Sequence, residues 1–219
     1  MPKGPLRIAV LGAGPIGIEA ALHAKSLGHA VTVHERGQVG EHLLRWGHAK
    51  MFTPFGVNVS PLGLQLLQRE KRPKDIPGEA ELLTGRQFRE SYLVPLSESE
   101  SLIESMHPQN LVMQIGRATS VKKSEADDSL PFRLLVRSLS TNAERIDTAD
   151  VVLDCTGTNM FPNWLGDGGL PAVGEIAARP PGVKAPPRLV RAAAAGAGPA
   201  GAGDARRCLL RLGRLFGRL

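Results

Sequence analysis

The residues best suited to chemistry lie near the N-terminus, where three glycines are followed by a carboxylate. Gly12, Gly14 and Gly17 have the spacing Gly-x-Gly-x-x-Gly, and Glu35 follows about 20 residues later. Such a turn brings backbone N–H groups close to a pyrophosphate, and a carboxylate at that distance accepts hydrogen bonds from ribose hydroxyls. We therefore predict a site for FAD or NAD, because Glu35 would repel the 2′-phosphate of NADP.

These residues need a strand, a helix and a second strand to bring them together. The apolar run 8–11 predicts a buried parallel strand that ends at the first glycine. Apolar residues recur at helical spacing over residues 16–27, Pro15 suits the first helical turn, and Gly28 suits a left-handed cap. Residues 30–33 predict the second strand, which leads to the carboxylate.

Each glycine of the motif has its own predicted role. Gly12 permits the tight turn out of the strand, Gly14 lets the backbone approach phosphates, and Gly17 lets the helix pack close to the sheet. Arg36 could reach a 2′-phosphate, but beside Glu35 an exposed or adenine-stacking arginine is the better interpretation.

The charge of the chain is unevenly distributed. Its 219 residues carry a formal net charge of +6. Residues 179–219 hold eight arginines and Lys184 against a single acid, Asp204, so the excess positive charge lies in this tail. The remainder is nearly neutral, which does not favour a nucleic-acid partner.

Cysteine and histidine spacing predicts neither a metal site nor a redox dithiol. Cys155 and Cys208 are far apart and form no CxxC pair, and the six histidines are scattered. His42 and His48 are interpreted as ordinary polar residues. No long apolar span or secretory leader is visible, so we expect a cytoplasmic setting.

The middle of the chain leaves one choice open. Residues 37–64 predict a long loop that contains the aromatic residues Trp46, Phe52 and Phe55. These side chains either cover a flat ring system or form part of the core beneath the loop. Residues 65–78 are charged and contain proline, which indicates an exposed crossing. Residues 84–104 predict a helix with an interruption near Pro95.

Strand-like runs follow at residues 111–121, 132–138 and 145–150, separated by polar turns, and predict an antiparallel meander. The run 151–153 predicts another buried strand, which closes on Asp154, Cys155, Thr156 and Gly157. Its end is either a second place where backbone approaches a cofactor or an ordinary strand end with a glycine turn.

The tail predicts a different kind of structure. Residues 179–219 consist mainly of alanine, glycine, proline and arginine, and the middle of this tail cannot bury enough surface to order itself. Residues 206–219 have the period of a basic amphipathic helix that could lie on a membrane or a partner. Translation of GC-rich DNA in a shifted reading frame explains this composition better than an amphipathic helix does. We therefore do not expect the tail to contact a membrane.

The order of these features resembles the FAD-dependent pyridine nucleotide oxidoreductases with two dinucleotide-binding domains, which include flavin-containing monooxygenases and glutathione-reductase-like enzymes. The resemblance covers about residues 6–175 and rests on GAGPIG with Glu35 and on DVVLDCTG, where Cys155 replaces the usual alanine. The meander fits the three-stranded insertion of the family. Only the N-terminal, FAD-binding half is represented, and the redox cysteine pair of the glutathione reductases is absent, which argues against disulfide reduction.

The resemblance also implies which residues lie along FAD. They are Gly12, Gly14, Pro15, Ile16 and Gly17 for the pyrophosphate, Glu35 for the ribose, Arg36 and the Ala118 backbone for the adenine, Gly40 and Trp46 for the ribityl or flavin region, and Thr156 with Gly157 close to the cofactor. The flavin itself performs the redox chemistry in such enzymes, so no catalytic side chain is assigned.

The resulting prediction is an α/β fold, with residues 1–178 forming a Rossmann-like FAD-binding domain of parallel sheet and antiparallel meander. A disordered or partly helical tail, residues 179–219, would follow. The expected function is an FAD-dependent oxidoreductase, linked to NAD(P)H in its complete form, with a small-molecule substrate. The alternatives are a single-domain NAD-binding dehydrogenase and a truncated dinucleotide-binding module without turnover.

Overall fold

The computed structural model describes residues 4–117, 130–158, 170 and 172–178. All of them belong to the first of two units of the chain, residues 1–186. The predicted contact of Ala118 and the predictions for the tail, residues 179–219, lie outside the described residues. The domain boundary at residue 178 stays a prediction.

Two sheets organise the described part of the chain. Its strands are β1 (Arg7–Leu11), β2 (Ala30–His34), β3 (Met106–His107), β4 (Asn110–Arg117), β5 (Phe132–Ser138), β6 (Glu144–Ala149) and β7 (Val151–Asp154). The first sheet is parallel, in the order β3-β2-β1-β7, and the second is antiparallel, in the order β4-β5-β6. The predicted α/β class, with a parallel sheet and a three-stranded meander, is confirmed.

Helices cover one face of the parallel sheet. They are α1 (Pro15–Ser26), α2 (Glu41–Arg45), α3 (Pro61–Glu70), α4 (Gly85–Phe88) and α5 (Val94–Ser97), with a π-helical turn (Arg89–Leu93) joining the last two. The chain leaves β1, forms α1 and returns in β2, which is the strand–helix–strand unit predicted from the glycine motif. Gly28 has a φ of +82°, the left-handed conformation expected just beyond α1.

Strand β1 is buried on both faces, which explains its continuous apolar run. Ile8 and Val10 belong to the core shared with the helices, whereas Ala9 and Leu11 pack towards the meander. Leu134 of β5 belongs to this second core and is fully buried. Successive side chains of a strand point to opposite faces, so one strand contributes to two cores.

Two expectations for the middle of the chain are wrong. Residues 65–70 are not an exposed crossing, because they complete α3, where Ser60 caps the helix by accepting the Gly63 N–H at 2.9 Å and Leu67 is fully buried. The helix predicted over residues 84–104 ends at Ser97. The predicted interruption near Pro95 is the π-helical turn, which removes the crowding between the proline ring and the carbonyl one turn earlier.

The three aromatic residues of the long segment 37–64 lie in different environments. They were predicted either to cover a flat ring system or to form part of the core. Phe55 is buried, with its ring edge-on to Tyr92 at 5.9 Å between centroids, so it is a core residue. Trp46 is partly buried against the same core, and Phe52 is fully exposed.

None of the helices in the described ranges is long and apolar enough to cross a membrane.

The N-terminus of α4 provides a test of local stability. Thr84 and Gln87 form a capping box, in which the Thr84 hydroxyl accepts the Gln87 N–H at 3.2 Å and the Gln87 side chain accepts the Thr84 N–H at 2.9 Å. We expect Thr84→Ala to lower the free energy of unfolding by about 1 kcal/mol, because the Gln87 N–H at the helix end loses its acceptor. Urea unfolding measures this, and Thr84→Ser, which keeps the hydroxyl, should match the original chain. Equal stability of all three would contradict the role of the cap.

Candidate dinucleotide-binding site

The glycine turn after β1 has the geometry that Gly12 and Gly17 were expected to allow. Gly12 has a φ of +94°, and its N–H donates to the carbonyl of His34 at 2.8 Å. A Cβ on Gly12 would lie 2.8 Å from the Cys155 carbonyl oxygen, and one on Gly17 would fall on the Gly12 carbonyl oxygen. Both positions therefore require glycine for the turn itself, whether or not a ligand is bound.

Gly14 differs from its neighbours because the space beside it is open. Apart from its two chain neighbours, no described residue lies within 4 Å of the position that a Cβ on Gly14 would occupy. Gly14 is the N-cap of α1 and Pro15 follows at the first helical position; the first helical hydrogen bond runs from Ile18 to Gly14 at 3.0 Å. The first turn contains no acidic residue. This helix end therefore combines close backbone access with the positive end of the helix dipole, which suits an anion.

Both carboxylate oxygens of Glu35 accept backbone hydrogen bonds, one from the glycine turn and one from the segment that follows Glu35. Oε2 accepts the Ala13 N–H at 2.7 Å, and Oε1 accepts the Gly37 N–H at 2.7 Å. A carboxylate can accept about four hydrogen bonds, so acceptor capacity remains for hydroxyl groups of a ribose. The structure thus brings Glu35 to the turn, and its contact with a ribose stays a prediction.

Gly40 also lies against the turn, whereas Trp46 packs elsewhere. The Gly40 N–H donates to the Ala13 carbonyl at 2.9 Å, and Gly40 has a φ of +61°. The Trp46 ring packs over Gly85, with its Cζ3 2.7 Å from the position of a Cβ there. Its predicted approach to a flavin stays a prediction. Arg36 is exposed, as one of its two interpretations requires.

The end of β7 meets the glycine turn from the other side. The Cys155 N–H donates to the Leu11 carbonyl at 2.9 Å, and the Thr156 Cα lies 3.2 Å from the position of a Cβ on Gly12. Asp154 Oδ1 accepts both the N–H and the hydroxyl of Thr156, at 3.1 and 2.7 Å. Gly157 has a φ of +72°. The two predicted motifs are thus neighbours, because parallel strands bring their carboxyl ends to one edge.

His34 lies beside the site on the meander side of the sheet. It lines a cavity of about 590 Å³ and its Nδ1 is buried without a partner, while its Nε2 lies 3.7 Å from Asp147 Oδ2. Burial is the main cause that lowers the pKa of His34 to about 4; Asp147 partly opposes it, and the nearby His107 and Arg145 add smaller lowering effects. His34 is therefore neutral at pH 7. His34 is not among the predicted site residues, although a histidine inside a buried strand is a sequence signal for a buried polar group.

Arg89 is a second residue that the sequence analysis missed. Its Nε donates to the Val39 carbonyl at 2.6 Å, which places a helical residue against the segment that leads from Glu35 to Gly40. The contact joins positions 50 residues apart, and no local pattern in the sequence signals it.

The comparisons with known proteins agree with this geometry. The model of the pyridine nucleotide-disulphide oxidoreductase family matches residues 7–41. A dihydrolipoyl dehydrogenase from Chlorobaculum parvum is 37% identical over 84 residues, an alignment that covers 32% of this chain and 18% of the relative.

Two solved structures share the fold at low sequence identity. The bacillithiol disulfide reductase from Bacillus cereus has a TM-score of 0.54 at 15% identity, over 74% of this chain and 43% of that one. The S-allyl-L-cysteine S-oxygenase from Allium sativum has a TM-score of 0.50 at 14% identity, over 74% and 41%. This chain therefore spans less than half the length of each of these relatives. The predicted resemblance to the FAD-dependent pyridine nucleotide oxidoreductases is confirmed, and the segment that matches the family model, residues 7–41, is the strand–helix–strand unit with the glycine turn and Glu35.

Proposed function

We propose that this chain binds FAD and supplies the FAD-binding half of an oxidoreductase that, in its complete form, takes hydride from NAD(P)H. The observation that carries the proposal is the position of Glu35, whose carboxylate bridges the Ala13 and Gly37 N–H groups beside the open backbone of Gly14. An acceptor for ribose and a donor surface for pyrophosphate therefore lie side by side. The match of residues 7–41 to a family of pyridine nucleotide oxidoreductases supports the same function.

Each predicted contact has a physical role in this proposal. The N–H groups of Ile16 and Gly17, which precede the first helical bond of α1, face the pyrophosphate together with the Gly14 backbone. Glu35 accepts the ribose hydroxyls and Arg36 flanks the adenine, to which Ala118 offers its backbone.

The other end of FAD would run past a second group of residues. Gly40 and Trp46 approach the ribityl or flavin region, and Thr156 with Gly157 passes close to the cofactor. When bound, the flavin supplies hydride and electron transfer, and the chain supplies orientation and electrostatics.

Two other functions use the same residues. A single-domain NAD-binding dehydrogenase would need the same glycine turn and Glu35, and the three-stranded meander argues against it. A dinucleotide-binding module without turnover would use the same glycine turn and Glu35, and it would bind FAD without oxidising NAD(P)H. In every case Glu35 disfavours NADPH as the nucleotide in this site.

One set of binding measurements separates these functions. The purified 219-residue chain is titrated with FAD, NAD and NADPH by calorimetry, and NAD(P)H oxidation is followed with added FAD. Tight binding of FAD supports the proposal, and sustained NAD(P)H oxidation would exclude a module without turnover. Binding of NAD alone would indicate the dehydrogenase, and binding of neither nucleotide would overturn the proposal.

The acidic side chain provides the first mutational test. We expect Glu35→Gln to weaken FAD binding by about tenfold, because the amide presents an N–H to one of two backbone donors and loses the charge that ribose hydroxyls favour. Fluorescence titration measures the change in Kd. Glu90→Gln, which alters an exposed carboxylate 3.9 Å from Arg86, is the matched control and should bind FAD normally. Unchanged affinity in Glu35→Gln would remove the ribose contact.

The proposal also covers the extent of the domain, the substrate class and the location in the cell. The FAD-binding domain comprises residues 1–178, the substrate is a small molecule rather than a nucleic acid, and the location is cytoplasmic. Gel filtration with and without RNA, and fractionation of cells that express the chain, test the last two.

A further inference from the structure

A short segment after Glu35, residues 37–40, lies against the glycine turn and forms one wall of the candidate site. Three backbone N–H groups of this segment have identified acceptors. Gly37 donates to Glu35 Oε1 at 2.7 Å, Gln38 donates to Glu41 Oε2 at 3.0 Å, and Gly40 donates to the Ala13 carbonyl at 2.9 Å. The position of the 37–40 segment is therefore coupled to Ala13, the residue between the first two glycines of the motif.

Arg89 holds the opposite side of the 37–40 segment. This half-buried residue donates from Nε to the Val39 carbonyl at 2.6 Å and from Nη2 to Gln38 Oε1 at 3.4 Å. A hydrogen bond from a charged donor is about twice as strong as a neutral one. The Val39 carbonyl thus has a strong partner from a distant part of the chain.

The aliphatic part of Arg89 also packs on Gly40. Its Cγ lies 3.2 Å from the position of a Cβ on Gly40, and Cδ1 of Leu93 lies at the same 3.2 Å. Arg89 and Leu93 are the two ends of the π-helical turn, so this turn presents both contacts to one glycine. A larger residue at position 40 would have to displace one of them, and its φ of +61° also favours glycine.

We propose that Arg89 is a positioning residue for the dinucleotide site. Through Val39 and Gly40 it holds the 37–40 segment against Ala13, and so fixes the Glu35 carboxylate, which accepts the Ala13 N–H, beside the Gly14 backbone where a ribose and its phosphate would bind. The inference rests on the proposed binding of a dinucleotide, and it assigns to Arg89 no contact with the ligand.

The binding test uses three variants of the 219-residue chain. Arg89→Met keeps the aliphatic packing on Gly40 and removes the donors, so we expect FAD affinity to fall by about tenfold. Arg89→Lys retains one charged donor and should recover part of that loss. Arg86→Met, on the exposed side of the same helical stretch, is the matched control and should bind FAD like the original chain.

A second measurement needs no ligand and separates the two proposals. Hydrogen–deuterium exchange of the free protein should be faster in a peptide covering residues 37–41 in Arg89→Met than in Arg86→Met, with the buried part of α1 unchanged. If the original chain binds FAD but Arg89→Met shows neither faster exchange nor weaker binding, the inference fails alone. If the original chain binds no dinucleotide, the proposed function fails, and the inference fails with it.

A double-mutant cycle distinguishes positioning from general destabilisation. Arg89→Met and Glu35→Gln should together weaken FAD binding by clearly less than the product of their separate effects, because both disturb the same carboxylate. Effects that multiply fully would show that Arg89 acts independently of Glu35, which contradicts the inference.

Discussion

Replacement of Gly14 by alanine should greatly lower the affinity for FAD without altering the stability of the protein. The Gly14 backbone is extended, with a φ of −79° and a ψ of −176°, which alanine adopts readily. In the described part of the chain, only the two sequence neighbours lie within 4 Å of the new methyl group. The methyl group would instead occupy the space through which a pyrophosphate reaches the backbone N–H groups of α1. We expect FAD affinity to fall by about 100-fold, or about 2.7 kcal/mol, measured by calorimetry alongside Tm.

The neighbouring glycines provide the contrast. Gly17→Ala should lower Tm as well, since its Cβ falls on the Gly12 carbonyl oxygen. Gly116→Ala, at an exposed strand position whose Cβ also meets nothing within 4 Å, should change neither binding nor Tm. Normal FAD affinity in Gly14→Ala would mean that no ligand approaches this backbone, and a Tm as low as that of Gly17→Ala would mean that the site is not open.

Acid should destabilise the protein through His34. In the folded state the pKa of His34 is about 4, mainly because of burial, whereas an unfolded histidine titrates near 6.5. The unfolded chain therefore binds the proton first as the pH falls. The contribution of His34 to stability is complete above about pH 6.5 and is lost as the pH falls through 4. The loss amounts to about 2 kcal/mol at pH 5 and about 3 kcal/mol at its limit.

Urea unfolding between pH 7.5 and 4.5 measures this effect. Other groups titrate in the same range, so the informative quantity is the difference in pH dependence between the original chain and His34→Gln, which cannot take up the proton. The variant should lose less stability on acidification, by about 2 kcal/mol near pH 5. His48→Gln, at an exposed position, should follow the original chain. Parallel curves for His34→Gln and the original chain would contradict a buried neutral His34.

The parts of the fold that could be predicted are those in which neighbouring residues carry the information. The strand–helix–strand unit around Gly12 and Glu35 follows from local turn chemistry and periodicity, and the meander from alternating runs and polar turns. The helix over Pro61–Glu70 is not predicted because the boundary drawn at residue 64 divides its leucines between a loop and a charged segment, whereas Leu66 and Leu67 together with Gly63 form one buried face.

The parts of the site that could not be predicted depend on long-range packing. Arg89 reaches Val39 across 50 residues, and its position depends on a π-helical turn that the sequence signals only as a disturbance near Pro95. The sequence also does not show that the Trp46 ring packs over Gly85, a residue 39 positions later in the chain. Tertiary contact, rather than residue type, settles both cases.

The anchoring of Glu35 has a kinetic consequence. Its two carboxylate oxygens accept the Ala13 and Gly37 N–H groups within the fold itself, so binding of a nucleotide requires no rearrangement of this side chain. Preorganisation of this kind removes an ordering cost from association. In stopped-flow experiments the observed rate should therefore rise linearly with FAD concentration, without the plateau that a slow conformational step imposes.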